Sequence, residues 1–140
     1  MSLTKISKKI GLSVDSVRKR IIKMKENKIF HPQIQLRPRN FGFGNIVDVK
    51  MKLQYSSQEE FDKFINYLVN NPRVVEVLSV EGEWDLAVVL IAKDAIDLGN
   101  VTSEIRARYG KLINSWTSSL TLKSYKFEVY DMENVLQFTT

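Results

Sequence analysis

The sequence predicts an α+β protein with two parts, a short helical segment followed by a domain built on an antiparallel sheet. The first 39 residues hold 11 Lys/Arg and 2 Asp/Glu (net +9), whereas the other 101 hold 10 and 14 (net −4), which gives the net charge of +5. A stretch with Pro and Gly over residues 31–44 separates the two parts. Beyond it, strand-like and helix-like hydrophobic patterns follow in the order β-α-β-β-α-β. The cationic charge therefore belongs to one part of the chain.

The composition limits the chemistry that the chain can perform. Its 140 residues, 44% of them hydrophobic, suffice for one core, and there is no cysteine for a disulfide, a thiolate metal site or a thiol nucleophile. The longest apolar run, residues 86–92, is far shorter than the roughly 18 residues of a membrane helix, and the N-terminus lacks the hydrophobic core of a signal peptide. We therefore expect a cytoplasmic protein with no membrane contact, no metal site and no cofactor.

Residues 1–30 have the pattern of a helix-turn-helix, in which two short helices meet at a Gly-containing turn. Ser13 is placed to cap the second helix. The apolar residues of this helix form an inward stripe that is expected to pack on the first helix and the turn, namely Val17, Ile21 and Met24 on Ile6, Ile10 and Leu12.

The outward residues of the second helix carry much of the positive charge. The N-terminal part of such a helix enters the major groove of DNA, so the residues expected near base edges, beside the cap Ser13, are Val14, Asp15, Ser16, Arg18 and Lys19. Contacts with phosphates are expected from Arg20, Lys23, Lys8 and Lys9. The alternative is a basic amphipathic helix with a solvated face. The turn and the charge asymmetry favour double-stranded DNA as the partner.

The linker over residues 31–44 is expected to be extended, because each Pro biases the preceding residue towards extended geometry. Alternating apolar residues then predict a strand over residues 45–54. Ser57 and Glu60 form a capping box. The helix that follows ends before Pro72 and has one apolar stripe, formed by Phe61, Phe64, Ile65, Leu68 and Val69.

Two strands, residues 74–80 and 84–92, form a hairpin around the turn Glu81-Gly82-Glu83. Asp94 caps a second helix, which ends at Gly110 and turns Leu98, Val101, Ile105 and Tyr109 to one side. A last strand is expected over residues 113–125. This order predicts a ferredoxin-like domain over residues 45–126 with both helices on one face of the sheet, followed by a C-terminal tail, residues 127–140.

The strand over residues 86–91 is entirely aliphatic and does not alternate, which predicts that both of its faces are covered. Because both helices lie on one side, the other side can be covered by a second copy of the sheet in an isologous dimer. The alternative is that the tail folds back over this face, using Val129, Val135, Leu136 and Phe138. We favour the dimer.

Two motifs in this order give the chain a resemblance to the Lrp/AsnC family of transcription regulators, also called feast/famine regulatory proteins. The turn and second helix match at Gly11-Leu12-Ser13, Val17, Arg20-Ile21 and Met24, and the hairpin turn matches at Gly82-Glu83-Trp84-Asp85, with Thr117 in the last strand. The resemblance covers residues 3–30 and 45–126. It implies a regulator that binds DNA, senses an amino acid or related metabolite, and forms dimers that stack into tetramers or octamers.

One departure from the family pattern concerns the N-terminus. Family members carry a further helix before the two found here, whereas this chain begins at Met-Ser-Leu-Thr. We therefore expect the inner face formed by Leu3, Ile6, Ile10 and Ile21 to lack a partner, unless a longer chain or a neighbouring subunit supplies it. Ile22 also stands where the family usually has a polar residue.

The resemblance places the effector near Gly82-Glu83-Trp84-Asp85, and the residue types suit an amino acid. Backbone N–H groups at Gly82 can bind the carboxylate of an amino acid, and Glu83 or Asp85 can accept a hydrogen bond from its ammonium group. Trp84 can line the site with its aromatic ring, and Thr117 can contribute a hydroxyl. The alternative is a structural turn, in which Gly82 provides a positive φ and Asp85 pairs within the fold.

Two other functions compete with this interpretation. The first is an oligomeric small-molecule-binding protein or an enzyme without productive DNA binding. The sequence offers few catalytic residues for an enzyme, since the only histidine, His31, lies beside Pro32 in the linker. RNA recognition on a β-α-β-β-α-β sheet requires stacking aromatics, and residues 86–91 are aliphatic. We therefore expect no enzyme activity.

Overall fold

The computed structural model describes residues 2–54 and 57–137, and the chain divides into two compact units at Leu36/Arg37. The N-terminal unit contains helices α1 (Leu3–Ile10) and α2 (Val14–Glu26). Gly11 ends α1 with a left-handed φ of 68°, and the hydroxyl of Ser13 caps α2, as expected from the sequence. The turn between the two helices is therefore built by its Gly and Ser.

The inward stripe of the N-terminal unit is only partly buried, which corrects the sequence-based expectation. Val17 is buried, and Ile6, Leu12 and Ile21 are half-buried. In contrast, Ile10 and Met24 are 51% and 39% exposed. Two short helices share a single contact line, so the residues at its ends are left facing water.

The C-terminal unit has the predicted β-α-β-β-α-β order. After a 3₁₀ turn (Pro38–Phe41) come β1 (Asn45–Leu53), α3 (Gln58–Asn70), β2 (Val74–Ser79), β3 (Leu86–Ala92), α4 (Ala95–Tyr109) and β4 (Ile113–Leu120). A short helix, α5 (Met132–Gln137), follows in the tail. The strands form one antiparallel sheet in the order β2-β3-β1-β4. The α+β, ferredoxin-like fold is confirmed.

The core lies between one face of this sheet and the helices α3 and α4. Its buried residues are Val47, Val49, Met51, Phe64, Leu68, Leu86, Val88, Leu90, Val101, Ile105 and Leu112. Val69, expected on the inner stripe of α3, is 63% exposed. Tyr67 packs against the core instead, because its ring meets that of Tyr109 at 5.2 Å between centroids.

The end of α4 differs from a usual Gly-terminated helix. Gly110 has a right-handed φ of −57°, so positive φ is not the reason for a glycine here. A Cβ at this position would lie 2.5 Å from the carbonyl oxygen of Arg106, which no side chain tolerates without a shift. Gly110 therefore permits a close approach of the backbone.

The sheet ends earlier than the sequence suggested, since β4 stops at Leu120 rather than near residue 125. One more ladder bond follows, from the N–H of Thr121 to the carbonyl of Ile46. Arg39 then binds the carbonyls of Thr121 and Leu122 at 2.7 and 3.1 Å. These carbonyls are thus directed to a guanidinium and not to a neighbouring strand.

In the predicted linker, residues 31–37 have no regular structure, and residues 38–41 form a 3₁₀ turn rather than an extended segment.

The second face of the sheet, here called the open face, lies opposite α3 and α4. The strand registers place Leu78, Ala87, Val89 and Ile91 on it, beside Asp48, Lys50, Thr117 and Ser119 of β1 and β4. Leu78 is 52% exposed, and Val89 and Ile91 are half-buried.

The tail leaves this face uncovered in the part of the chain that the structure describes. Val129, Val135 and Leu136 are all exposed, so they do not cover the open face. Phe138 lies outside the described residues.

None of the helices in the described ranges is long and apolar enough to span a membrane.

Candidate functional site

The first turn of α2 is organised by its serine residues. Ser13 Oγ accepts the N–H of Ser16 at 3.1 Å and donates to Ser16 Oγ at 2.9 Å. These hydroxyls thereby satisfy a backbone donor that the first helical turn leaves without a partner. Both serines, expected at the DNA surface, are thus already engaged in capping.

Asp15 and Lys19 stand one turn apart on α2 and form an ion pair. The distance between Asp15 Oδ2 and Lys19 Nζ is 3.0 Å. Both side chains are largely exposed, at 64% and 77%. Val14 lies beside them at the start of the helix and is also exposed. Three of the residues expected near base edges therefore share the exposed first turns of α2.

The remaining cations of the N-terminal unit are free to bind an anion. Arg18, Arg20 and Lys23 are exposed and form no ion pair with any residue in the described ranges. Lys8 and Lys9 lie in the last turn of α1 and are exposed as well. The surface has the cationic character that a polyanion requires.

The turn between β2 and β3 contains the second group of expected site residues. Gly82 has a φ of 131°, a backbone conformation that side chains other than glycine rarely adopt. Glu83 is exposed and makes no hydrogen bond or ion pair within the described part of the chain, and Trp84 is half-buried. The carboxylate of Glu83 is thus available to a ligand.

Asp85 has a structural task in this turn. Its Oδ2 accepts the backbone N–H of Leu53 at 2.7 Å, and its Oδ1 lies 3.5 Å from Lys52 Nζ. Its own N–H donates to the carbonyl of Met51 at 3.0 Å. Asp85 therefore fixes the turn to the end of β1, as in the structural alternative given by the sequence.

Thr117 does not meet the turn within one chain. It lies opposite Lys50 on the open face, and Lys50 lies opposite Ala87 of β3. Strand β1 therefore separates Thr117 from β3, and two strand spacings amount to about 10 Å. A site that uses both the turn and Thr117 of one chain has to span β1.

A groove of about 380 Å³ lies beside the turn and was not expected from the sequence. Asp85, Gln54, Ser57, Gln58 and Phe61 are among its lining residues. The side-chain amide of Gln58 donates to Asp62 Oδ1 at 2.8 Å. Gln54 and Gln58 carry no motif, so only the fold could bring them to Asp85.

A larger groove, of about 650 Å³, lies between α3 and α4. Tyr67 and Glu104 line it, and the Tyr67 hydroxyl donates to Glu104 Oε1 at 3.2 Å. Burial raises the pKa of Tyr67, and the Glu104 charge adds to this effect. Arg73, also in the lining, pairs with Asp97 and lies 4.8 Å over the Phe43 ring. Tyr67, Glu104 and one amino group of Arg73 thus have partners within the fold, whereas Nη1 of Arg73 is buried and has no hydrogen-bond partner among the described residues.

The described residues contain no group of three or more His, Asp or Glu side chains that could hold a metal ion. His31 is exposed near the end of the N-terminal unit.

Comparison with known proteins gives a consistent result for the C-terminal unit. The family model described as Lrp/AsnC ligand binding domain matches residues 46–130. A search of the curated proteins gave no significant match.

Several solved structures have the same fold. An AsnC family transcriptional regulator from Agrobacterium tumefaciens is 20% identical, with 96% of this chain and 88% of that chain covered and a TM-score of 0.84. A transcriptional regulator from Neisseria meningitidis in complex with L-Met is 14% identical, with the same coverage and a TM-score of 0.85. A feast or famine regulatory protein from M. tuberculosis complexed with L-methionine is 17% identical, covers 91% and 84%, and has a TM-score of 0.76.

Proposed function

Because the chain belongs to the Lrp/AsnC family, we propose that it is a transcription regulator that binds double-stranded DNA through α2 and senses an amino acid or a related metabolite through its C-terminal unit. One observation carries the proposal: the same chain joins the matched ligand-binding domain to a cationic helix-turn-helix. The exposed cations of α2 that form no ion pair among the described residues, Arg18, Arg20 and Lys23, favour DNA contact over a binding protein or enzyme that does not touch DNA. We place the regulator in the cytoplasm and assign it no enzyme activity.

The DNA contact is proposed to divide between phosphates and bases. Lys8, Lys9, Arg20 and Lys23 supply charge without sequence preference. The first turns of α2 face the base edges, with Arg18 as an unpaired donor suited to guanine. Ser13 and Ser16 are proposed to hold the helix in register rather than to contact DNA, because their hydroxyls bind one another.

The effector is proposed to bind at the Gly82–Asp85 turn where two copies meet. Regulators of this fold from N. meningitidis and M. tuberculosis were solved with L-methionine, so we expect an α-amino acid here too. Free backbone N–H groups near Gly82 suit the carboxylate, and the unpaired Glu83 suits the ammonium group. Thr117 is about two strand spacings from the turn and would come from the partner copy.

The oligomer is proposed to form through the open face. Leu78, Val89 and Ile91 give this face an apolar strip, and the described tail residues do not cover it. Burial of the strip against a second copy is favourable, since each square ångström of apolar area contributes about 25 cal/mol. Such dimers are proposed to stack into tetramers or octamers.

Selection of duplexes from a random pool tests DNA binding by the full chain. We expect an enriched sequence whose affinity falls steeply with salt, and the Arg20→Ala/Lys23→Ala variant should bind it at least tenfold more weakly. Lys93→Ala, which removes an exposed cation of the C-terminal unit, is the matched control and should bind normally. Recovery of no enriched duplex, or equal affinity of the two variants, would contradict the proposal.

Calorimetry with L-methionine and other amino acids tests the effector site. Glu83→Ala is the informative variant, because Asp85→Ala would also release the N–H of Leu53 and destabilise the fold. We expect saturable binding by the wild type and at least fivefold weaker binding by Glu83→Ala. Equal binding by both would place the effector elsewhere.

A further inference from the structure

The DNA-facing helix α2 carries two acidic side chains, Glu26 at its last residue and Asp15 in its first turn, where positive charge would favour binding to any sequence. Between residues 2 and 25 the chain has eight Lys/Arg and a single carboxylate, that of Asp15. Close to DNA a carboxylate is repelled by the phosphates, so Asp15 lowers the affinity that all sequences share. An acidic residue in the first turn stabilises a helix, and the experiment below separates that role from a role in recognition.

The ion pair places the charged ends of Asp15 and Lys19 next to each other on the exposed surface of α2. Asp15 Oδ2 and Lys19 Nζ lie 3.0 Å apart, and both side chains are exposed. The pair therefore offers a hydrogen-bond acceptor directly beside a donor on the outer face of the first two turns of α2. The donor retains further N–H groups, and the carboxylate retains further lone pairs, for a second partner.

A C·G base pair presents the complementary pattern in the major groove. The N4 amino group of cytosine is a donor, and O6 and N7 of guanine are acceptors. N4 and O6 are joined by their own hydrogen bond, so they lie about 2.9 Å apart. This spacing matches the distance between the two charged groups.

We propose that the Asp15–Lys19 ion pair recognises one C·G base pair, with Asp15 accepting from cytosine N4 and Lys19 donating to guanine O6 and N7. The inference rests on the proposed function, in which this end of α2 enters the major groove. An A·T pair also places a donor beside an acceptor, but thymine has one acceptor there and a methyl group next to it. Because the ion pair persists on DNA, neither charge becomes unpaired when water leaves the contact.

Base analogues in the selected duplex test this inference with the full chain. Each cytosine is replaced in turn by the 2-pyrimidinone nucleotide, which pairs with guanine but lacks the 4-amino group, and affinity is measured by fluorescence anisotropy at fixed salt. When one particular cytosine is replaced, the wild type should bind the duplex about tenfold more weakly. Asp15→Ala should show no loss at that position.

A second ion pair with the same separation in sequence provides the control. Glu59 and Lys63 stand one turn apart on α3, their charged groups lie 2.7 Å apart, and both side chains are largely exposed. Glu59→Ala therefore removes a surface ion pair of the other unit. This variant should keep the full tenfold loss. Circular dichroism and melting of Asp15→Ala report its effect on the helix.

The outcomes separate the inference from the proposed function. If no cytosine replacement weakens binding by the wild type, or if the wild type and Asp15→Ala lose the same factor at every cytosine, the inference is overturned while DNA binding stands. Weaker binding of Asp15→Ala to all sequences together with a lower melting temperature would assign Asp15 to helix stability and would also overturn it. Failure to enrich any duplex would overturn the proposed function itself.

Discussion

Replacing Val89 with Asp should separate the proposed dimer while leaving each chain folded. Val89 and Val88 are neighbours on β3 and point to opposite faces of the sheet. Val88 is 1% exposed in the core, whereas Val89 is half-buried on the open face. In the proposed dimer a charge at position 89 would meet the second copy, whereas a charge at position 88 would lie in the core beneath α3 and α4.

The size of the effect follows from burial of the new carboxylate. An uncompensated charge inside a protein interface costs about 3 kcal/mol or more. An isologous dimer buries the new group twice, so about 6 kcal/mol is lost, which raises the dissociation constant roughly 10⁴-fold. Within one chain, the neighbours across the strands are Asp48 and Glu76, and their repulsion costs only about 0.2–1 kcal/mol each.

Sedimentation equilibrium at about 10 µM, combined with circular dichroism, measures both consequences. The wild type should be a dimer or larger, and Val89→Asp should be a folded monomer. Val88→Asp should unfold, because an unpaired charge in the core costs a large part of the 5–15 kcal/mol that stabilises a typical domain. Val89→Thr, similar in shape and uncharged, is the control and should remain assembled. A monomeric wild type, or an assembled Val89→Asp, would refute the reasoning.

Three further predictions concern the two sites and the fold. Arg20→Ala should weaken binding to all DNA sequences alike and reduce the slope of log affinity against log salt by about 1. Arg18→Ala should instead change which duplex is preferred, and an unchanged preference would show that Arg18 does not contact a base. The pKa of Asp97 is lowered, first by the N–H of Lys93, so its contribution to stability is complete above the usual Asp pKa of about 3.9 and is lost as the pH falls. Lowering the pH should thus reduce the free energy of unfolding of the wild type more than that of Asp97→Asn. Parallel curves of this free energy against pH would contradict the prediction. Glu83→Ala should leave the melting temperature unchanged, and a clear decrease would indicate a structural role.

Local sequence signals were sufficient for most of the fold. The capping serines, the alternation along β1 and the stripe of α3 each act within a few residues, so they could be recognised from spacing alone. Burial at the ends of a stripe depends on what packs there, which explains why Met24 and Val69 were wrongly expected to face inward.

The candidate site was less accessible to sequence reasoning. The turn was located by its Gly82, yet the partner of Asp85 is a backbone N–H 32 residues away, at Leu53. Every residue except proline has a backbone N–H, so the residue types in the sequence do not indicate which N–H a carboxylate binds. Thr117 was associated with the turn through resemblance, and only the strand register showed that β1 lies between them.

We propose that one chain couples the binding of an amino acid to sequence-selective DNA binding. Fluorescence anisotropy of the selected duplex, titrated with the full chain in the presence and absence of each of the twenty amino acids, tests it most directly. We expect at least one amino acid to shift the dissociation constant fivefold or more, about 1 kcal/mol of coupling, and the duplex to shift the affinity for that amino acid by the same factor. An amino acid that binds in calorimetry but leaves DNA affinity unchanged, or a duplex bound no better than a scrambled one, would contradict the account.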